Sequence, residues 1–213
     1  MNNFGPIYKE TNFQGLLVDP WSVFTNLIFL AIVIYWAVKI GKDWKNNKFI
    51  VFSLPVLLVG YIGGTIFHAA RISPIWLALD FLPIFFLSLA ASIYFWRKLN
   101  LRWVFIPIIV VLPFVFLSLL WRFGIFPESF RINLGYATLA IIIIFPIFYY
   151  IFRKNKRFWP LAAAAVLSFA VALFFRYWDL KSSLPMGTHW LWHIFGGIAA
   201  YFLIFYIYSL NKK

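Results

Sequence analysis

Seven separated apolar runs, each long enough to cross a lipid bilayer, constrain this 213-residue chain more than any other feature. They cover residues 21–40, 49–70, 75–96, 103–121, 134–152, 158–178 and 189–209. A bilayer's hydrocarbon core is about 30 Å thick, which takes roughly 20 helical residues to cross. No water is present there to satisfy backbone N–H and C=O groups, so a chain crosses either as helices or as a closed barrel. The runs are too long and too continuously apolar for alternating barrel strands. The breaks between them read GKDWKNNK, RISP, RKLNLR, RFGIFPESFRIN, RKNKR and LKSSLPMGT, rich in charge, glycine and proline. Because these breaks are short, consecutive helices are expected to be antiparallel neighbours. The predicted fold is all-α: one seven-transmembrane-helix bundle, a single domain over residues 1–213.

Composition closes off the other classes. The chain is 64% hydrophobic and 12% charged, with a mean hydropathy of +0.87, more apolar surface than a soluble domain of this size could hide. Residues 1–18 contain Lys9 and Glu10 and no apolar core of a secretory signal, so none is expected. The absence of cysteine removes disulfides, thiolate metal sites and cysteine nucleophiles.

A formal charge of +13 invites a nucleic-acid reading, and the placement of the charges rejects it. Basic residues alternate by side along the chain. One side holds Lys39, Lys42, Lys45, Lys48, Arg97, Lys98, Arg102, Arg153, Lys154, Lys156, Arg157, Lys212 and Lys213; the other holds Lys9, Arg71, Arg122, Arg131, Arg176 and Lys181. The positive-inside rule then places the N-terminus outside and the C-terminus in the cytoplasm. The basic side would also attract anionic headgroups. Trp21, Trp96, Trp103, Trp121 and Trp159, near span ends, fit interfacial belts.

With that orientation, the helical rise of about 1.5 Å per residue converts position into depth. His68 falls near the outer end of the second span, and Asp80 lies roughly 8 Å into the third. His189 stands at the outer end of the seventh span, with His193 about 6 Å deeper. Asp19 begins the first span, with Ser22 and Asn26 on the same helical face. All three histidines and two of the six acids therefore share one outer-leaflet layer, which nothing in the apolar pattern requires.

Such a layer suits a metal. Histidines at i and i+4 project from one helix face, and a third from another helix completes a three-histidine set with an open fourth position. Neutral nitrogen donors without sulfur favour zinc, with iron and copper as the other candidates. Zinc polarises carbonyls and lowers the pKa of its water to about 7. A nearby carboxylate, Asp80, could orient a ligand histidine or shuttle a proton. Plainer roles stand beside these. An intramembrane histidine can serve as a helix–helix hydrogen-bonding residue, and Asp80 could pair with Arg71 or Arg176. Asp19 could cap the first span, and Asn26 could tie helices together. Asp179, beside Arg176, reads as an interfacial charge pair, and the Gly-Gly pairs at 63–64 and 196–197 read as sites of close helix packing.

Three stretches, DPWSVFTNLIFL (19–30), GGTIFH (63–68) followed by Asp80, and GTHWLWHIFGG (187–197), together resemble the motifs of the alkaline ceramidase family. That family belongs to a superfamily of seven-span hydrolases that includes adiponectin-receptor-like and hemolysin III-like proteins. The resemblance implies a zinc amidase of sphingolipid metabolism, cleaving ceramide into a fatty acid and a sphingoid base. His68, His189 and His193 match the family's zinc ligands, and Asp80 matches its catalytic acid. There are departures. Gly64 stands where the family usually has a serine, and the adjacent Thr65 lies about 100° further round the helix. Asp19 replaces the usual glutamate and Ser22 the usual asparagine. Animal members also carry an acidic calcium cluster, to which only Glu10, Asn12 and Asp19 could contribute here.

The sequence thus predicts an outward-facing, multi-pass intramembrane zinc hydrolase acting on ceramide or another N-acyl lipid drawn from the bilayer. Thr65 or Tyr136, near the outer end of the fifth span, would donate to the oxyanion. A non-catalytic, receptor-like metal binder, a bis-histidine haem protein and a purely structural membrane protein remain as alternatives. A retinal protein is set aside, because the last span has no lysine for a Schiff base. A proton-driven porter fits less well than a site open to one side, since the ionisable groups cluster at one face.

Overall fold

The computed structural model describes residues 4–127 and 130–212. Lys213 and part of the break after the fourth span lie outside them. The described chain is all-helical, with seven helical segments long and apolar enough to cross a membrane. α1 (Pro20–Thr25) and α2 (Leu27–Ile40) together form the first, with Asn26 as the joint between them. A 3-10 turn at Gly41–Asp43 ends it. The rest are α3 (Lys48–Ala70), α4 (Pro74–Lys98), α5 (Phe105–Arg122), α6 (Arg131–Arg153), α7 (Trp159–Trp178) and α8 (His189–Asn211). The apolar runs and their charged breaks locate these helices closely. What they do not reveal is the chain's division.

The described chain separates into two compact units. The first contains Met1–Ile84 and Pro160–Lys213; the second is Phe85–Trp159. Both boundaries fall inside or at the start of helices, α4 and α7, so no linker composition marks them. In the second unit, Trp96, Ile106, Val110, Leu139 and Ile142 form a buried core, and Tyr136 packs against it. Ser92 Oγ there donates to the Ile142 carbonyl at 2.7 Å.

In the first unit, α2 packs on α3 and α8, and α1 also touches both. Trp36 of α2 is fully buried among Tyr201, Phe205 and Tyr208 of α8. Glycines set how closely α3 meets α4. A Cβ at Gly60 would lie 3.2 Å from Pro83 Cβ, and one at Gly63 would lie 2.6 Å from the Leu79 carbonyl carbon. The 63–64 pair therefore does permit close helix packing. At the 196–197 pair only Gly197 does so, against Ile28; nothing lies within 4 Å of a Cβ at Gly196. α3, α4, α5 and α6 each contain an interior proline, tolerable in membrane helices where neighbours re-satisfy the freed carbonyls. Val38, Leu112, Ile141, Leu167 and Phe174 are all more than half exposed. In a soluble protein such a surface would aggregate; in a bilayer it is the lipid-facing surface.

Candidate metal centre

The first unit gathers most of its buried polar side chains where α1 and α8 begin and α3 ends. His68, in the last turn of α3, and His189 and His193, in the first two turns of α8, are all buried. Each offers one ring nitrogen, and these nitrogens lie within 4.8 Å of one another.

Hydrogen bonds at the far side of two rings decide which nitrogen is offered. His68 Nδ1 lies 3.0 Å from Asp19 Oδ2. A carboxylate can only accept, so Nδ1 carries the proton and Nε2 keeps its lone pair. His193 Nδ1 lies 3.1 Å from the Ser22 carbonyl, with Thr25 Oγ1 at 3.3 Å. A carbonyl also only accepts, so Nε2 of His193 is again the free nitrogen. His68 Nε2 and His189 Nδ1 are buried and have no hydrogen-bond partner among the described residues. Leaving a buried ring nitrogen unpaired costs about 1–3 kcal/mol. Imidazole nitrogens converging from two helices, with two of the rings held at their outer nitrogens by a carboxylate and a carbonyl, form a group that could hold a metal ion.

Asp19 does more than the sequence reading assigns to it. It is fully buried, and its Oδ2 also receives Arg71 Nε at 2.9 Å and Nη2 at 2.8 Å. Its Oδ1 receives Thr11 Oγ1 at 2.6 Å. Burial pushes the Asp19 carboxyl up, but His68, Thr11 and Arg71 outweigh it and hold the group below the usual carboxylate range. Arg71 ends α3 in the left-handed conformation, φ 47°, which turns the chain at the point where its guanidinium reaches back. Asp19 occupies the N-cap position of α1, but its side chain makes no capping hydrogen bond. Glu10, from the preceding segment, takes that role: its Oε2 receives Trp21 N–H at 2.7 Å, and its carboxylate also receives the N–H and hydroxyl of Ser22. Burial raises the Glu10 pKa, with the Ser22 and Trp21 donors opposing it.

Asp179 is likewise a structural cap rather than a surface charge pair. Its Oδ1 receives Thr188 N–H at 2.6 Å and His189 N–H at 2.8 Å, and its Oδ2 receives Lys9 N–H at 2.9 Å. This satisfies two orphan donors at the start of α8 and fixes the backbone of His189. Tyr8 then stacks on the His189 ring, centroids 3.5 Å apart. Residues 8–11 thus fasten the start of α1, the start of α8 and the Asp19 carboxylate. The sequence pattern does not mark Tyr8, Arg71 or Asp179 as site residues. Their roles depend on loops folding back across helix ends, and spacing carries no signal for that.

Asp80 sits apart from this saturated set. Its Oδ2 lies 3.9 Å from His68 Nε2, its side chain is 25% exposed, and its carboxylate accepts no hydrogen bond among the described residues. Arg71, one expected partner, is engaged by Asp19 instead. Asn26 reaches Thr65, Nδ2 to Oγ1 at 3.5 Å, so both join the layer along with Ser22. Tyr136 belongs to the second unit, packed on its core. Of the candidate calcium donors, Asn12 Oδ1 accepts Gln14 N–H at 3.0 Å, and Glu10 and Asp19 are engaged as described.

Comparison with models of known protein families finds no match, and comparison with curated proteins finds none either.

Proposed function

We propose that this chain is a zinc-dependent intramembrane hydrolase of a lipid amide, ceramidase-like, with its site facing the outer side of the membrane. The carrying observation is the convergence of three buried histidine nitrogens within 4.8 Å, beside the Asp80 carboxylate, which accepts no hydrogen bond among the described residues. Tautomers set by Asp19 and the Ser22 carbonyl present neutral Nε2 atoms of His68 and His193, the form a metal requires. His68, His189 and His193 would hold the ion. Bound zinc would polarise an amide carbonyl and lower the pKa of its water to about 7. Three imidazoles converge where a haem would take two axial ligands, which favours a bare ion over haem. Glu10, Asn12 and Asp19 already accept N–H groups, a hydroxyl and a guanidinium, which favours a scaffold role for them over a calcium site.

The chain's own residues supply the proton chemistry. Asp80 accepts the proton of the water whose oxygen adds to the carbonyl carbon. It returns that proton to the nitrogen as the C–N bond breaks, giving a carboxylic acid and an amine. The exposed apolar helices supply the route for a lipid from the bilayer, and the basic-residue asymmetry supports the outward orientation. The test is Asp80→Asn: hydrolysis of long-chain N-acyl lipids should vanish while most of the bound zinc remains. Undiminished hydrolysis would remove Asp80 from its role.

A further inference from the structure

Gly64 lies one helical turn before His68 on the same face of α3. A Cβ placed there would overlap Asp80 Oδ1 and stand 2.7 Å from Asn26 Nδ2. Two polar tips, from α4 and from the joint between α1 and α2, therefore share the volume that any other residue at position 64 would fill.

Both tips are poorly engaged. Asp80 accepts no hydrogen bond among the described residues, and the Asn26 amide has the single 3.5 Å contact to Thr65, at the outer limit of a hydrogen bond. Asn26 is only 2% exposed. Burying a carboxamide N–H without a good acceptor is costly. A donor left short of one, beside a free carboxylate and one turn from a histidine of the triad, is matched to an acceptor that arrives with substrate.

We propose that Asn26 Nδ2–H is the donor for the carbonyl oxygen of the substrate amide, and that Gly64 is the positioning residue that lets Asn26 and Asp80 approach together. The assignment rests on the hydrolase reading above. As the water oxygen adds to the carbonyl carbon, Asp80 takes the water proton and the C=O electron pair moves onto oxygen, where Asn26 meets the growing charge. The pair returns as the C–N bond breaks and the proton passes to nitrogen. Neither Thr65 nor Tyr136 is needed as the donor.

The test uses the full chain, purified with zinc, as wild type, Asn26→Ala and Gly64→Ala. Five quantities are read: zinc content, melting temperature, kcat and KM on a long-chain N-acyl amide, and affinity for a lipid analogue with a tetrahedral phosphonate replacing the amide carbonyl. Removing one oxyanion donor costs about 10²–10³ in kcat. Asn26→Ala should lose that much, with a matching loss of phosphonate affinity, little change in KM, and zinc retained. Gly64→Ala should move kcat in the same direction without loss of melting temperature, because only flexible side-chain tips must shift. It also carries the test if Asn26→Ala fails to fold. Turnover within about threefold of wild type in either zinc-loaded variant overturns the proposal. So does loss of zinc in Asn26→Ala, which would make Asn26 a support of the ligands. A wild-type chain with neither zinc nor amide turnover overturns the hydrolase reading itself, and that failure shows in the unsubstituted protein.

Discussion

Gly63 is where backbone meets backbone, and substituting it tests the architecture that brings Asp80 to His68. An alanine Cβ there would lie 2.6 Å from the Leu79 carbonyl carbon and 2.8 Å from its oxygen. Ordinary carbon–carbon contact is about 3.5–4.0 Å, so α3 and α4 must part by about 1 Å, taking Asp80, the next residue of α4, with them. No side-chain rotation relieves a clash with backbone, and overpacking of this kind costs about 1–3 kcal/mol. Glycine to alanine within a helix returns about 1 kcal/mol in propensity. Gly196→Ala gains the same propensity term without the clash, since nothing lies within 4 Å of its Cβ. Propensity cancels in the comparison, leaving Gly63→Ala less stable than Gly196→Ala by about 1–3 kcal/mol. For a chain of this size that corresponds to a melting-temperature gap of roughly 2–12 °C, read by thermal unfolding of both variants in one detergent. Equal melting temperatures, or a more stable Gly63→Ala, would refute the close α3–α4 crossing.

Further outcomes follow from the polar network. Arg71→Leu strands the buried Asp19 charge, a loss of about 3–5 kcal/mol measurable by thermal or denaturant unfolding; a neutral result would contradict the pair. Asp19→Asn releases the His68 tautomer and should weaken zinc affinity about 10–100-fold in a competitive chelator titration. Glu10 and Asp19 are shifted to opposite sides of the usual carboxylate range. Glu10 is raised, so the folded state binds its proton more readily than the unfolded chain, and stability falls as pH rises from about 4.3 through the folded value. Asp19 is lowered, so its contribution is complete above about 3.9 and is lost only as pH falls below that. Melting temperatures across pH should therefore lose slope in Glu10→Gln only above about 4.3; an unchanged slope there would contradict the burial of Glu10.

Much of this could be read from sequence because lipid imposes a simple rule. A run of apolar residues bounded by charge must be a helix, so span positions followed directly, and helical rise gave the depth at which His68, Asp80, His189 and His193 would meet. The Gly-Gly pair at 63–64 was legible as a crossing point. The rest depended on segments without periodicity. Residues 8–11 fold across helix ends, so Glu10 caps a helix that starts ten residues later, and Asp179 caps one whose first residue is His189. Arg71 turns back only because the chain adopts a left-handed conformation at the end of α3. Tyr136 has the depth of a site residue but belongs to another unit, because the division runs through α4 with no compositional mark.

Elemental analysis of the purified full chain beside His68→Ala and His193→Ala bears most directly on the metal centre. The proposed function calls for about one zinc per wild-type chain, lost from both variants while each remains folded. A folded wild-type protein without stoichiometric metal would leave the histidines as helix-packing groups and end the hydrolase reading.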